Sequence, residues 1–456
     1  MSSGNTNVPK IDRRRLAELR AAEDADFIRR SPASATWRAR ARAHMPNGVP
    51  MTWMAGLYRT PPIYIDRGSG PAFTDVDGNN YLDFNVGDLS MTIGFGNEVI
   101  AEALAKQARR GVHFLLPGED SIVVAELLAQ RVGRPHWQFT HSATGANIEV
   151  MRVARFITGR HKVVIFGGHY HGHLDETLVR EDQGRVVPDA AGLPPDSAAH
   201  TIVLPFNNLG ALERVLASRE VALVLTEPAL TNCNVILPQS GFHAGVRDLT
   251  RRYGALLCID EAHTFQFAYG GLVREWQLES DFVVAGKGFG SGVPFAVYGM
   301  TDAVAEVYSR HSDVDIGPRG IATGGTTFAT ALVMAAARAV LEDVLTPKAY
   351  EHVRSLGALL ADGLDTQFQR RGLPWCAFRA GPRSGFCLES RLPQNGVEAE
   401  RSLDFEWIDT RRVYMANRGI WDAVAGAGPQ AALAHTPTDI QRYVATAGQF
   451  LDAVVV

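Results

Sequence analysis

The sequence predicts an α/β protein built on a mostly parallel sheet with helices on both faces, joined to a smaller lobe. Three observations predict it. Strand-length apolar runs alternate with amphipathic helical segments through the middle of the chain. Three of those runs end in polar or charged residues. After Thr330 the alternation gives way to a mixed tail.

Taken in order, residues 11–44 read as helical and charged. Tyr64-Ile65-Asp66 and the stretch 72–83 read as short strands around an Asp77-Gly78-Asn79 turn. From Glu98 onward, helical segments at 98–110, 120–132 and 146–158 are followed by apolar runs at 161–166, 201–204, 221–226, 255–260 and 281–285. An Ala-rich helix is expected at 330–344, then helices near 348–371 and 437–452. The expected division is an N-terminal segment, 1–95, contributing to the small domain, a large domain at 96–330, and a C-terminal small domain at 331–456.

Composition narrows the function classes. The chain has 456 residues, 46% of them hydrophobic, with 45 basic against 49 acidic residues and a net charge of -4. No basic block offers a polyanion surface, so nucleic acid is not an expected partner. No stretch approaches the roughly 20 apolar residues of a membrane span, and the first thirty residues lack an apolar signal core. Cys233, Cys258, Cys376 and Cys387 form no CxxC pair, which fits reduced thiols and a cytoplasmic setting.

In a parallel sheet, ligands gather outside the carboxyl ends of the strands. The runs that matter end in Thr226-Glu227-Pro228, Asp260-Glu261-Ala262-His263 and Gly286-Lys287-Gly288. A lysine ending a buried strand loses part of its ammonium's solvation, which favours Schiff-base chemistry. A glycine-flanked turn with a snorkelling lysine is the plainer alternative. A carboxylate at Asp260 suits a pyridinium nitrogen, whose proton makes the ring an electron sink; a helix cap or an ion pair explains it equally well in isolation. The stretch Phe139-Thr140-His141-Ser142-Ala143-Thr144-Gly145-Ala146-Asn147 passes from a short strand into a helix with small residues at its start, the arrangement of a phosphate seat or of an ordinary capped helix. Gly167-Gly168-His169-Tyr170-His171-Gly172-His173 puts an aromatic after a strand, suited to stacking on a flat heterocycle. Its three histidines lack the carboxylate and the helical spacing of a zinc site, so no metal is expected.

Together, and in this order, Asp77-Gly78-Asn79 with Tyr81-Leu82-Asp83, Ser142-Ala143-Thr144, Tyr170-His171-Gly172-His173, Glu227-Pro228, Asp260-Glu261, Gly286-Lys287 and Gly324-Gly325-Thr326 resemble the class III aminotransferases of pyridoxal-phosphate (PLP) fold type I, in the glutamate-1-semialdehyde aminomutase-like subgroup. The resemblance runs from about Met45 to Val340. It implies a large domain with a mostly parallel sheet of seven-stranded type between helices, and a smaller α+β domain from the N- and C-terminal segments. It implies that Lys287 carries the cofactor and moves the substrate proton, and that Asp260 holds the pyridine nitrogen. Tyr170 is then expected to stack on the ring, Ser142, Ala143 and Thr144 to meet the phosphate, and Glu227 to anchor the ring's hydroxyl side. Thr326 is expected to reach the phosphate of a neighbouring subunit, which requires a homodimer with shared active sites.

Two departures stand out. The acidic residue that the family places after the threonine of its phosphate segment is Gly145 here. The family's arginine for the substrate carboxylate is also absent, its segment reading Gly48-Val49-Pro50-Met51-Thr52-Trp53-Met54. A pocket lined by Met51, Trp53 and Met54 favours an aryl or alkyl group over a carboxylate, although Arg59 is a candidate replacement. The expectation is therefore an amine transaminase, moving an amino group between a primary amine or amine-like donor, β-amino acids included, and a keto acid or ketone. The alternative is an intramolecular 2,1-aminomutase, with the long segment 176–195 as a gate. A PLP phospho-lyase lacks the basic cluster it needs, and a non-catalytic binding module is disfavoured by Lys287 and Asp260 standing together.

Overall fold

A computed structural model describes residues 10–56, 60–312, 320–424 and 426–456. The chain divides into two compact units, one of Met1–Asn97, Glu351–Leu392 and Arg401–Val456, the other of Glu98–Tyr350 with Pro393–Glu400.

The second unit holds a seven-stranded sheet. Its strands, in chain order, are β1 (His136–Thr140), β2 (Lys162–Phe166), β3 (Thr201–Leu204), β4 (Val221–Thr226), β5 (Leu256–Asp260), β6 (Phe282–Ala285) and β7 (Ala296–Met300). Their spatial order is β1-β7-β6-β5-β4-β2-β3. β7 alone runs antiparallel to its neighbours β6 and β1, and the expected apolar runs did not include it. Every residue of β4, β6 and β7 is buried, as strands covered on both faces require. One face packs on Ala146, Val150, Val153 and Ala154 of the helix Ala143–Thr158. The other packs on Leu212 and Leu216 from the helix Leu209–Leu216 and on Phe242 and Val246 from Phe242–Tyr253.

Register decides what this sheet presents. Ile259 lies opposite Thr226, and Asp260 opposite Val284, while Thr140 and Ala285 face the adjacent residues Ala296 and Val297 of β7. The ends of β1, β4, β5 and β6 are therefore level, and the residues that follow them share one sheet edge.

The unit continues past the expected break at 330 to Tyr350. The helix Ala331–Ala339 packs on Glu98–Arg110 and Glu119–Val132, so the apolar face of the Ala-rich segment keeps it with the sheet. That segment ends in a π turn, Val340–Val344, instead of continuing as α-helix. The segment expected as a gate contains an antiparallel hairpin, Val179–Asp182 with Arg185–Pro188.

The first unit carries a four-stranded sheet of Ile65–Ser69, Ala72–Asp75, Asn80–Asp83 and Ile420–Trp421, and a hairpin of Cys376–Ala380 with Arg383–Cys387. Its core gathers Leu82, Phe84, Leu360, Phe368, Trp407 and Phe450. The expected turn is present: the Asp75 carboxylate accepts the amides of Asp77 and Asn79 at 3.0 and 2.8 Å, and Gly78 takes φ +82°. Among the described residues, no helix is long and apolar enough to cross a membrane.

Candidate active site

The level strand ends of the second unit gather the candidate residues. Asp260 closes β5 and is 2% exposed. Its Oδ2 accepts Asn147 Nδ2 at 2.8 Å and His171 Nδ1 at 2.9 Å, and its Oδ1 accepts the Ala262 amide at 2.9 Å. Asn147 also donates to the His171 carbonyl at 2.9 Å, fixing the loop after β2 to the helix Ala143–Thr158. A buried carboxylate without partners costs several kcal/mol; here three donors offset that cost and fix its orientation. His171 is 1% exposed, and its Nε2 is buried with no hydrogen-bond partner among the described residues. His169 stacks beside it with ring centroids 5.2 Å apart, and burial pushes its imidazole down to about 4.

Lys287 follows β6 through Gly286. Its backbone sits at φ +56°, a conformation costing a non-glycine residue about 1–2 kcal/mol and one that concentrates at functional sites. A Cβ on Gly286 would lie 3.2 Å from the Ala296 Cβ and 3.5 Å from that of Ala143. This close approach sets the lysine's turn against the start of the Ala143–Thr158 helix. Ser142 caps that helix, its hydroxyl accepting the Gly145 amide at 3.2 Å. The amides of Ala143 and Thr144 precede the helix's own hydrogen-bond ladder, which makes this end an anion seat. Thr144 Oγ1 accepts the His173 amide at 3.0 Å. Gly172, at φ +98°, leaves no room for a side chain, since a Cβ would stand 2.2 Å from that oxygen. The Tyr170-to-His173 loop is thereby fastened to the anion seat. Tyr170 itself is 43% exposed.

Glu227, immediately after β4, is buried, and burial pushes its carboxyl up to about 7 against the opposing pull of His171. Its Oε2 accepts the Thr231 hydroxyl at 2.6 Å, and its Oε1 is buried without a partner among the described residues. Thr231 Oγ1 also lies 2.7 Å from His263 Nδ1. Thr326 is exposed, in a segment that the Gly324 amide ties to Glu149 Oε1 at 2.6 Å.

The second unit thus brings together the ends that carry Asp260, Glu227, Lys287, Ser142, Ala143 and Thr144 with the Tyr170 loop. Met51, Trp53 and Met54 belong to the first unit, where each is nearly half exposed, and Arg59 lies outside the described residues. Sequence reasoning placed Asn147 and His263 within its candidate stretches without giving either a role, and it missed Thr231. Asn147 sits one turn into the helix, on its buried face, and a buried polar residue after a capped start is the signal that marks it.

These residues fit a phosphorylated pyridine. A buried, three-donor carboxylate suits a ring nitrogen, the helix start suits a phosphate, and the orphaned atoms of His171 and Glu227 lack partners in the protein alone.

The comparisons agree. The aminotransferase class-III family model matches residues 54–373, and the chain belongs to that family, whose cofactor is pyridoxal phosphate. It is 32% identical over 414 residues to glutamate-1-semialdehyde 2,1-aminomutase 2 of Geobacillus kaustophilus, covering 88% of this chain and 94% of that one. A crystal structure of a glutamate-1-semialdehyde-aminomutase from Pseudomonas aeruginosa PAO1 superposes with a TM-score of 0.92 at 36% identity, covering 97% of this chain and 99% of the other. A lysine-to-alanine variant of the Pseudomonas protein in complex with PMP matches with the same TM-score, identity and coverage. These relatives overturn the expectation of an amine transaminase. That reading rested on one missing arginine between Gly48 and Met54, whereas the likeness to aminomutases runs through nearly the whole chain.

Proposed function

We propose that this chain catalyses 2,1-aminomutase chemistry: within one substrate, an amino group and a carbonyl oxygen exchange places on adjacent carbons. The observation that carries the reading is the 36% identity, across 97% of the chain, with the Pseudomonas aeruginosa aminomutase. Glutamate-1-semialdehyde is therefore the substrate of choice. When bound, pyridoxal phosphate supplies an electron sink conjugated to the carbon that bears the substrate's amino group.

The chain's own residues divide the work. Lys287 carries the cofactor and then moves a proton to and from the reacting carbons, the role of a general base placed at a strand end. Asp260 holds the ring nitrogen's proton, its carboxylate oriented by Asn147, His171 and the Ala262 amide. Ser142, Ala143 and Thr144 take the phosphate at the helix start, Tyr170 covers the ring, and Glu227 meets its hydroxyl side. Thr326 serves the phosphate of a neighbouring copy, which makes the working form a homodimer. An apolar stretch of Val112, Phe114, Leu115 and Leu116, between 47% and 76% exposed, supports a second copy, because patches of this kind are seldom left to water. Four free cysteines fit a reducing, cytoplasmic setting. The absent arginine at Met51 to Met54 leaves the substrate's carboxylate to residues other than the family's usual one.

The test supplies glutamate-1-semialdehyde with no other amino donor or acceptor. Stoichiometric conversion to the isomer with the amino group on carbon 1 is expected. Dependence on a separate acceptor, with release of a free keto product, would overturn the reading.

A further inference from the structure

Thr231 has one proton and two short contacts, 2.6 Å to Glu227 Oε2 and 2.7 Å to His263 Nδ1. A hydroxyl so placed donates to one partner and accepts from the other, and the same heavy atoms allow two arrangements. In the first, a Glu227 carboxylate accepts the Thr231 proton while Thr231 accepts His263 Nδ1–H. In the second, the protonated Glu227 donates to Thr231, which donates to a bare His263 Nδ1. All three residues are buried, at 4%, 0% and 7% exposure, so their protons exchange more readily with one another than with water.

We infer that Glu227, Thr231 and His263 form a two-bond proton relay, which lets His263 set the charge on the carboxyl group that β4 presents to the site. The transfer balances. The proton leaves Glu227 Oε2 for Thr231 Oγ1 as the threonine's own proton passes to His263 Nδ1. A neutral acid and a neutral imidazole become a carboxylate and an imidazolium, and net charge is unchanged. Glu227 Oε1, buried and without a partner, is the atom through which this change is felt. His263 is thus a positioning residue that acts through Thr231.

Burial holds Glu227 near 7, where both of its forms are populated at neutral pH. Of the groups around it, His171 favours the carboxylate and Asp260 opposes it. The Thr231 hydroxyl and the Tyr170 amide stabilise the charged form. The relay rests on the strand-end cluster and not on the aminomutase reaction, so the two readings fail separately.

The test is a pH titration of holoenzyme by infrared spectroscopy, following the carboxylic-acid carbonyl band that Glu227→Gln removes. Thr231→Val, which cuts the relay, and His263→Asn, which keeps a donor near Nδ1 but takes no proton, are each expected to raise the band's midpoint. The expected rise is about one pH unit, a tenfold change in the equilibrium. The double variant is expected to match Thr231→Val alone, because both changes interrupt one path. Thr231→Ser is expected to restore the wild-type midpoint, and it carries the test with His263→Asn if the valine variant fails to fold. An unmoved midpoint in His263→Asn, or full addition of the two shifts in the double variant, would overturn the relay.

Discussion

Glu227 and Glu261 follow neighbouring strands of one sheet, are both buried, and are both pushed by burial up to about 7. Their oxygens differ. Those of Glu261 are taken up by the protein: Oε2 accepts the Thr264 hydroxyl at 2.7 Å and the Leu272 amide at 2.9 Å, and Oε1 accepts the Val273 amide at 2.7 Å. Gly271, at φ +76°, makes room for this, since a Cβ there would stand 2.3 Å from Oε1. Glu227 spends one oxygen on Thr231 and leaves the other buried and orphaned. Burial and acidity therefore do not separate these two carboxylates; hydrogen-bond satisfaction does, and a buried acceptor left without a partner calls for an explanation that Glu261 does not need.

The contrast can be broken most directly at Glu261. Glu261→Leu strands two backbone amides and a hydroxyl, and it is expected to cost about 3–5 kcal/mol of stability in urea unfolding. Glu227→Gln is expected to lower turnover by about 10²-fold while shifting stability at about pH 4.5, where the native carboxyl is protonated, by less than about 1 kcal/mol. Equal stability losses in the two variants would erase the distinction.

Proton linkage sharpens it further. Each glutamate holds a proton in the folded state that the unfolded chain releases near the ordinary carboxyl value of about 4.3. Their contribution is fully present below that value and is lost as pH rises through 7. Across this window the native state binds more protons, so stability falls with rising pH. Glu227→Gln is expected to remove about 1–3 kcal/mol of that decline between pH 4.5 and 7.5, measured as the pH dependence of the unfolding midpoint; an unchanged slope would contradict the assignment. The smallest effect is expected at Asn147→Ala, where Asp260 keeps His171 and the Ala262 amide. Of the two hydrogen bonds lost, to Asp260 and to the His171 carbonyl, the one to Asp260, about 1–1.5 kcal/mol, weakens cofactor retention roughly tenfold, read by equilibrium dialysis.

Much of this site was legible in the sequence, for reasons visible in particular residues. Asp260, Glu227 and Lys287 stand out because each follows a short, continuous apolar run, and strand ends are where such sheets present ligand-binding groups. Ser142 is readable as a helix cap. What grips Asp260 was not legible. Asn147 lies 113 positions away and His171 lies 89, and no local period announces contacts made across a parallel sheet. β7 escaped notice because five residues interrupted by Gly299 make a weak strand signal, and their place is fixed by pairing on both sides. The substrate reading failed for the opposite reason. A single missing arginine was given more weight than the whole-chain likeness it interrupted.

The central claim is that the edge bearing Asp260 and Lys287 is where the cofactor is held. The chain has five lysines, Lys10, Lys106, Lys162, Lys287 and Lys348, which makes a covalent test decisive. Borohydride reduction of the holoenzyme followed by peptide mapping is expected to place one pyridoxyl-phosphate mass per chain on the peptide containing Lys287. The same mass on any other lysine, or its persistence in Lys287→Ala, would contradict the account.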